Sequence, residues 1–192
     1  MANIERLIPF IIKWESGTTR KAGEDNAALF GRARSTGWSD DPADAGGKTM
    51  VGVTLKTFQA YCRKKGQPEA DATALRNINY TTWRDVLKTL YWNKWRADEI
   101  RSQSVAEILV DWVWGSGSAG VIIPQSKLGV DADGIVGDKT IAAVNAQSPQ
   151  EFFNLMKLER GKYFDRICQT RPSNLKFKKG WLNRLNDLQF KE

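Results

Sequence analysis

Apolar residues recur at helical spacing along most of the chain, and the long stretch where they do not is Ser16 to Val53. That contrast bounds the fold before any motif is read. Ile4, Leu7, Ile8 and Ile11 follow the i, i+3, i+4, i+7 rule, with Asn3 placed to cap their helix. Glu15 falls back on the same face, so a carboxylate ends a stripe expected to be buried. Pro9 stands on the opposite face and is expected to kink this helix or delay its start. Thr54 caps a helix carrying Leu55, Phe58 and Cys62, stopped by Gly66 and Pro68. Thr82-x-x-Asp85 and Ser104-x-x-Glu107 resemble capping boxes, and Ser148-Pro149-Gln150-Glu151 opens a run through Phe152, Leu155, Met156, Phe164 and Ile167. A last helix is expected over roughly 179–188. With no strand-rich region and no fixed-period repeat, the chain is expected to be mainly α. A composition shift at Gly115-Ser116-Gly117-Ser118 marks a soft boundary rather than a flexible linker.

The chemistry is bounded as sharply as the fold. There is no histidine, which excludes a Ser-His-Asp triad, a Cys-His pair and a His-based zinc site. Two cysteines, Cys62 and Cys168, are too few for a four-cysteine metal site and read as reduced core residues. Carboxylate chemistry remains, and no cofactor or metal is expected. The balance of 29 Lys+Arg against 22 Asp+Glu, a net +7, favours anionic partners: nucleic acid, a membrane surface or a wall polymer. No nucleic-acid motif is recognisable. Met1 to Trp14 has no long apolar run, so neither a signal peptide nor a membrane span is expected, and synthesis as a soluble cytoplasmic chain is. Of the eight Trp, Trp92, Trp95, Trp112 and Trp114 fall in helical runs and read as core, whereas Trp38 is the better candidate to stack on a sugar.

Within the aperiodic stretch, Asp40 to Thr54 reads as ordered, with turn residues leading into a short β-like run. The paired glycines Gly46 and Gly47 let backbone approach a ligand closely, while Asp44 and Thr49 supply an acceptor and a hydroxyl. Glu15 and Asp44 on two sides of a cleft would suit glycoside hydrolysis, in which one carboxylic acid protonates the leaving oxygen and the other group orients water or stabilises the oxocarbenium-like carbon. Thr49 is placed to help hold that water. A solvated or ion-paired Glu15, and an Asx-turn with a glycine hairpin at 44–49, also account for the same residues. Asp131-x-Asp133-Gly134 lacks the regular acidic ligands and twelfth-position glutamate of a calcium loop, and reads as a turn.

Trp14-Glu15-Ser16-Gly17, followed by Asp41-Pro42-x-Asp44-x-Gly46-Gly47-x-Thr49-x-x-Gly52-Val53-Thr54, resembles the glycoside hydrolase family 108 motif. The resemblance continues through Tyr91-Trp92 and Asp111. It then matches that family's predicted peptidoglycan-binding region at Leu128-Gly129-Val130, Asp133-Gly134-Ile135-Val136-Gly137, Thr140 and Phe177-x-x-Gly180-Trp181-x-x-Arg184. The family comprises lysozyme-like N-acetylmuramidases, several linked to phage lysis or to secretion as secretion activators. The resemblance implies a lysozyme-like helical fold with a short β-hairpin near the cleft, a catalytic region at 1–100 and a helical wall-binding region at 101–192, packed as one compact unit.

It further implies Glu15, Asp44 and Thr49 as the catalytic set, and Trp38, Gly46, Gly47, Tyr91 and Asp111 as substrate contacts. Three departures stand out: Ser16 replaces a glycine, Gly115 stands where an asparagine is common, and an insertion over roughly 18–38 separates Glu15 from Asp44. The insertion, with Arg20, Lys21, Arg32 and Arg34, is placed to bind substrate, cover the cleft or block it. The expected partner is the peptidoglycan strand, with passage to the periplasmic wall through a holin or secretion machinery, and a monomeric state. The alternatives are a lytic transglycosylase and a non-catalytic wall-binding secretion accessory.

Overall fold

A computed structural model describes residues 1–40 and 47–191, so Asp44 and Gly46 lie outside the described residues. The fold is mainly α, with ten α-helices and one three-stranded antiparallel sheet among the described residues. Two compact units are formed, one from Ile4 to Tyr91 and one from Met1–Asn3 together with the chain from Trp92 onward.

The first unit begins with α1 (Ile4–Ser16), whose apolar stripe of Ile4, Leu7, Ile8, Ile11 and Ile12 is buried as its spacing predicts. Pro9 does not break it. Proline removes the N–H that would meet the Glu5 carbonyl, and Asn26 Nδ2 donates to that carbonyl instead, at 3.0 Å. The Glu5 carboxylate accepts from Asn26 Nδ2 at 2.7 Å, from the Tyr80 hydroxyl at 2.9 Å and from Arg84. Burial alone would raise its pKa, but these donors outweigh burial and hold Glu5 below the usual carboxylate range.

The insertion contains a helix that the aperiodic reading did not anticipate. In α2 (Asn26–Ala33), Asp25 caps by accepting from Ala28 N at 2.8 Å, and Leu29, Phe30 and Ala33 are buried. The Phe30 ring lies 5.1 Å from that of Trp83 and 6.0 Å from that of Tyr80. Arg32 pairs with Glu24 at 2.7 Å and donates to Thr19 O at 2.8 Å, while Arg34 donates to Arg76 O at 3.0 Å. Both arginines therefore brace the unit.

The sheet follows, with β1 (Trp38–Ser39), β2 (Thr49–Met50) and β3 (Val53–Thr54) in that order. Asp40 and Lys48, which flank residues 41–46, are ion-paired at 2.7 Å. Then come α3 (Leu55–Lys64), α4 (Ala72–Arg76) and α5 (Tyr80–Leu87). Thr54 caps α3 as expected, accepting from Thr57 N at 3.1 Å. The cap of α5 is Asn79 rather than Thr82, and it accepts from Thr82 N at 2.8 Å.

The second unit holds α6 (Gln103–Ser116), α7 (Ala119–Leu128), α8 (Asp138–Asn145), α9 (Pro149–Thr170) and α10 (Leu175–Asp187). Trp92, Trp95 and Trp112 are fully buried, confirming their core reading, and Trp95 Nε1 donates to Gly120 O at 3.1 Å. Ser102, not Ser104, caps α6; Ser104 Oγ instead exchanges two 2.8 Å bonds with the Lys191 backbone. Pro149 opens α9 as expected, and α10 starts earlier than its sequence pattern indicates. The 131–134 stretch is a turn: buried Gln125 accepts from Gly134 N at 2.9 Å and donates to Ile135 O at 2.9 Å. Among the described residues no cluster of His, Cys, Asp or Glu could hold a metal, and no helix is long and apolar enough to cross a membrane. Cys62 and Cys168 are buried free thiols.

Candidate active site

Register shapes the site. Trp38 pairs with Met50, Ser39 with Thr49, Thr49 with Thr54 and Met50 with Val53. Directly paired residues share a face and neighbours alternate, so Trp38, Met50 and Val53 lie on one face and Ser39, Thr49 and Thr54 on the other. Met50 and Val53 are buried.

Two residues, Val51 and Gly52, join β2 to β3, with φ of 44° and 76°. Two positive φ values in a two-residue loop make a type I′ turn, which suits glycine and not a β-branched side chain. A valine held there stores on the order of 1–3 kcal/mol of strain. The surroundings hold it: Val51 N donates to Gly37 O at 2.8 Å, and Trp83 Nε1 donates to Val51 O at 2.9 Å. Gly37 must itself be glycine, because a methyl there would stand 2.6 Å from Val51 Cγ2 and 2.8 Å from Ala33 O.

The strained turn carries the end of α1. A methyl on Gly52 would stand 2.6 Å from Glu15 Cδ and Cγ and 2.7 Å from Oε2, so the Glu15 carboxyl rests directly on the Gly52 backbone. Glu15 is half-buried rather than sealed. Tyr91 completes the surroundings: burial pushes its phenol above the ordinary value, the Glu15 carboxylate adds to the rise, and a hydrogen bond with Thr57 opposes it. Glu15, Gly52 and Tyr91 are thus gathered from the first helix, the hairpin and the end of the first unit.

A direct consequence concerns Gly52→Ala. The clashing atoms belong to the free end of a side chain, so the chain accommodates the methyl by displacing the Glu15 carboxyl. Folding should cost only about 1–2 kcal/mol for the left-handed backbone. Activity that depends on Glu15 should fall about a hundredfold, the penalty of roughly 1 Å of misplacement. Turnover measured beside a thermal melt checks this; parallel, small losses in both would contradict it.

The other expected contacts are distributed unevenly. Thr49 is half-buried on the hairpin, with its hydroxyl donating to Gly47 O at 3.1 Å. Trp38 lies on the opposite sheet face from Thr49, and its ring is met by the Arg76 guanidinium at 5.3 Å. Asp111 corrects its sequence reading. It is 0% exposed in the second unit, with its oxygens held by Arg160 at 2.7 Å and Arg184 at 2.7 Å, so no sugar reaches it. The residues missed by sequence are Gly37, Val51 and Trp83, which build the turn; the Gly in Val51-Gly52 was the available signal.

Residues 32–117 match the family model described as Glycosyl hydrolase 108, and residues 119–186 match the Predicted Peptidoglycan domain. The chain thus carries a glycosyl hydrolase 108 region followed by a predicted peptidoglycan region. Among solved structures, that of Brucella abortus SagA is similar, with a TM-score of 0.67 and 28% identity over 79% of this chain and 82% of that one. No match is found among curated proteins.

The glycosyl hydrolase 108 match ends at the turn where Gly117, with φ of 58°, separates α6 from α7, the boundary that the Gly-Ser composition marks. It begins inside α2, after Glu15. Asp111 ties the two matched regions, since its arginine partners stand on α9 and α10. The family and the peptidoglycan domain support a glycoside hydrolase with a peptidoglycan-hydrolase-like role.

Proposed function

We propose that this protein is an N-acetylmuramidase, cleaving the β-1,4 bond between N-acetylmuramic acid and N-acetylglucosamine in peptidoglycan. Glu15 is the general acid, protonating the leaving oxygen. Asp44, five positions before Thr49 in the shared motif, places the water or stabilises the oxocarbenium-like carbon with help from Thr49. Gly47 and Tyr91 flank the glycan. The observation that carries this reading is the seat of Glu15 on Gly52: a strained turn held by buried Trp83 supports one carboxyl, and fixed placement is what a catalytic acid requires. The net +7 favours encounter with an anionic wall polymer.

The products distinguish cleavage by water from internal cyclisation. Purified sacculi digested with the protein, reduced and analysed by mass spectrometry should yield reducible muramic acid ends. Anhydro-muramic ends would replace the muramidase with a lytic transglycosylase, and intact sacculi would leave only a wall-binding role.

A further inference from the structure

A cavity of about 170 Å³ in the second unit combines cationic and aromatic walls. Its lining includes Arg160 and Arg184 together with Tyr163, Phe164 and Trp181, and Gly115 stands at its edge. The aromatic walls are continuous, with Phe164 5.4 Å from Trp181 and 6.1 Å from Tyr163 between ring centres. Arg160 is 2% exposed, and its guanidinium lies 5.6 Å from the Phe164 ring centre. Asp111 occupies its Nη1 at 2.7 Å, but Nη2 meets only the Asp111 carbonyl at 3.3 Å, and the buried Nε has no hydrogen-bond partner.

A buried guanidinium this incompletely satisfied calls for an explanation, because nearly all buried donors are paired. Gly115 supplies part of it. A methyl at that exposed position would stand 3.3 Å from Arg160 Nη2, so the absent side chain leaves this edge of the guanidinium open toward the cavity.

We propose that the cavity binds the free carboxylate of a short peptide, with the terminal residue's small apolar side chain against Tyr163 and Trp181. A guanidinium fork recognises a planar carboxylate, and aromatic walls favour an organic acid over a bare inorganic anion. A cavity of about 170 Å³ has room for a small organic carboxylate. Within peptidoglycan, the ligand of that chemistry is the C-terminal D-alanine of a stem peptide. This identity rests on the peptidoglycan reading above, whereas the carboxylate pocket does not.

The test reads binding rather than cleavage, using the full chain carrying Glu15→Gln so that its outcome is separable from that of the hydrolase reading. Calorimetric titrations are made with N-acetyl-D-alanyl-D-alanine, its C-terminal amide and inorganic phosphate. The acid should bind saturably, with the amide and phosphate each at least tenfold weaker. Gly115→Leu, which fills the opening at an exposed site without removing a charge, should weaken the acid at least tenfold with an unchanged circular dichroism spectrum. Absence of acid binding, equal binding of acid and amide, equal binding of phosphate, or full affinity in folded Gly115→Leu would each overturn the proposal. If Gly115→Leu fails to fold, Trp181→Leu takes its place, with the same weakening expected and full affinity overturning the proposal.

Discussion

Asp111→Ala should destabilise the protein by about 3–5 kcal/mol, read as a large drop in the urea unfolding midpoint. The magnitude comes from what the substitution leaves behind more than from what it removes. Arg160 is buried against the carboxylate it pairs with, and Arg184 is mostly buried. Removing Asp111 strands those charges in a low-dielectric interior, and such a loss is a large share of a typical domain's stability. Replacing the three together, as Asp111→Leu, Arg160→Met and Arg184→Leu, should recover most of the loss, because apolar residues of similar volume need no counter-charge.

Acid adds a signature. Burial alone would raise the Asp111 carboxyl, but the two guanidiniums outweigh it and hold the pKa below the ordinary value. A carboxyl depressed in the folded state contributes its stability above its unfolded pKa of about 4, and that contribution fades as pH falls through the lower native value. The single variant should therefore lose less stability than wild type between neutral pH and pH 3. A cost below about 1 kcal/mol, or an acid dependence equal to that of wild type, would contradict the structural role of the cluster.

The sequence made the helices legible where their reasons are local. The α1 stripe, the Thr54 cap, Pro149 at the head of α9 and the tryptophan core all follow from spacing and side-chain chemistry within a few residues. What escaped depends on distant partners. Helix α2 is short and its buried face is only Asn26, Leu29, Phe30 and Ala33, too little periodicity to read. Pro9 reads as a kink or a delayed start because its compensation comes from Asn26, in another element.

At the site, the motif drew attention to the hairpin and to Glu15, but not to how they meet. Val51 at positive φ is a tertiary result, set by Gly37 and Trp83. The face occupied by Trp38 follows from pairing register, which alternation in a two-residue strand cannot encode. Asp111 did carry a signal: it sits between Val110 and Trp112 in a helix that is apolar nearly all round, where a carboxylate needs buried cations.

In the proposed reaction, the carboxyl seated on Gly52 is the acid that breaks the glycan. Glu15→Gln keeps the shape and removes the acid, so it leaves the hairpin contact in place and should reduce cleavage by about 10²–10⁴-fold. The direct measurement is a zymogram of wild type beside Glu15→Gln on gels containing purified sacculi, with circular dichroism of both proteins. The expected result is a cleared band for wild type, none for the variant at equal loading, and matching spectra. Equal clearing by two folded proteins would contradict it.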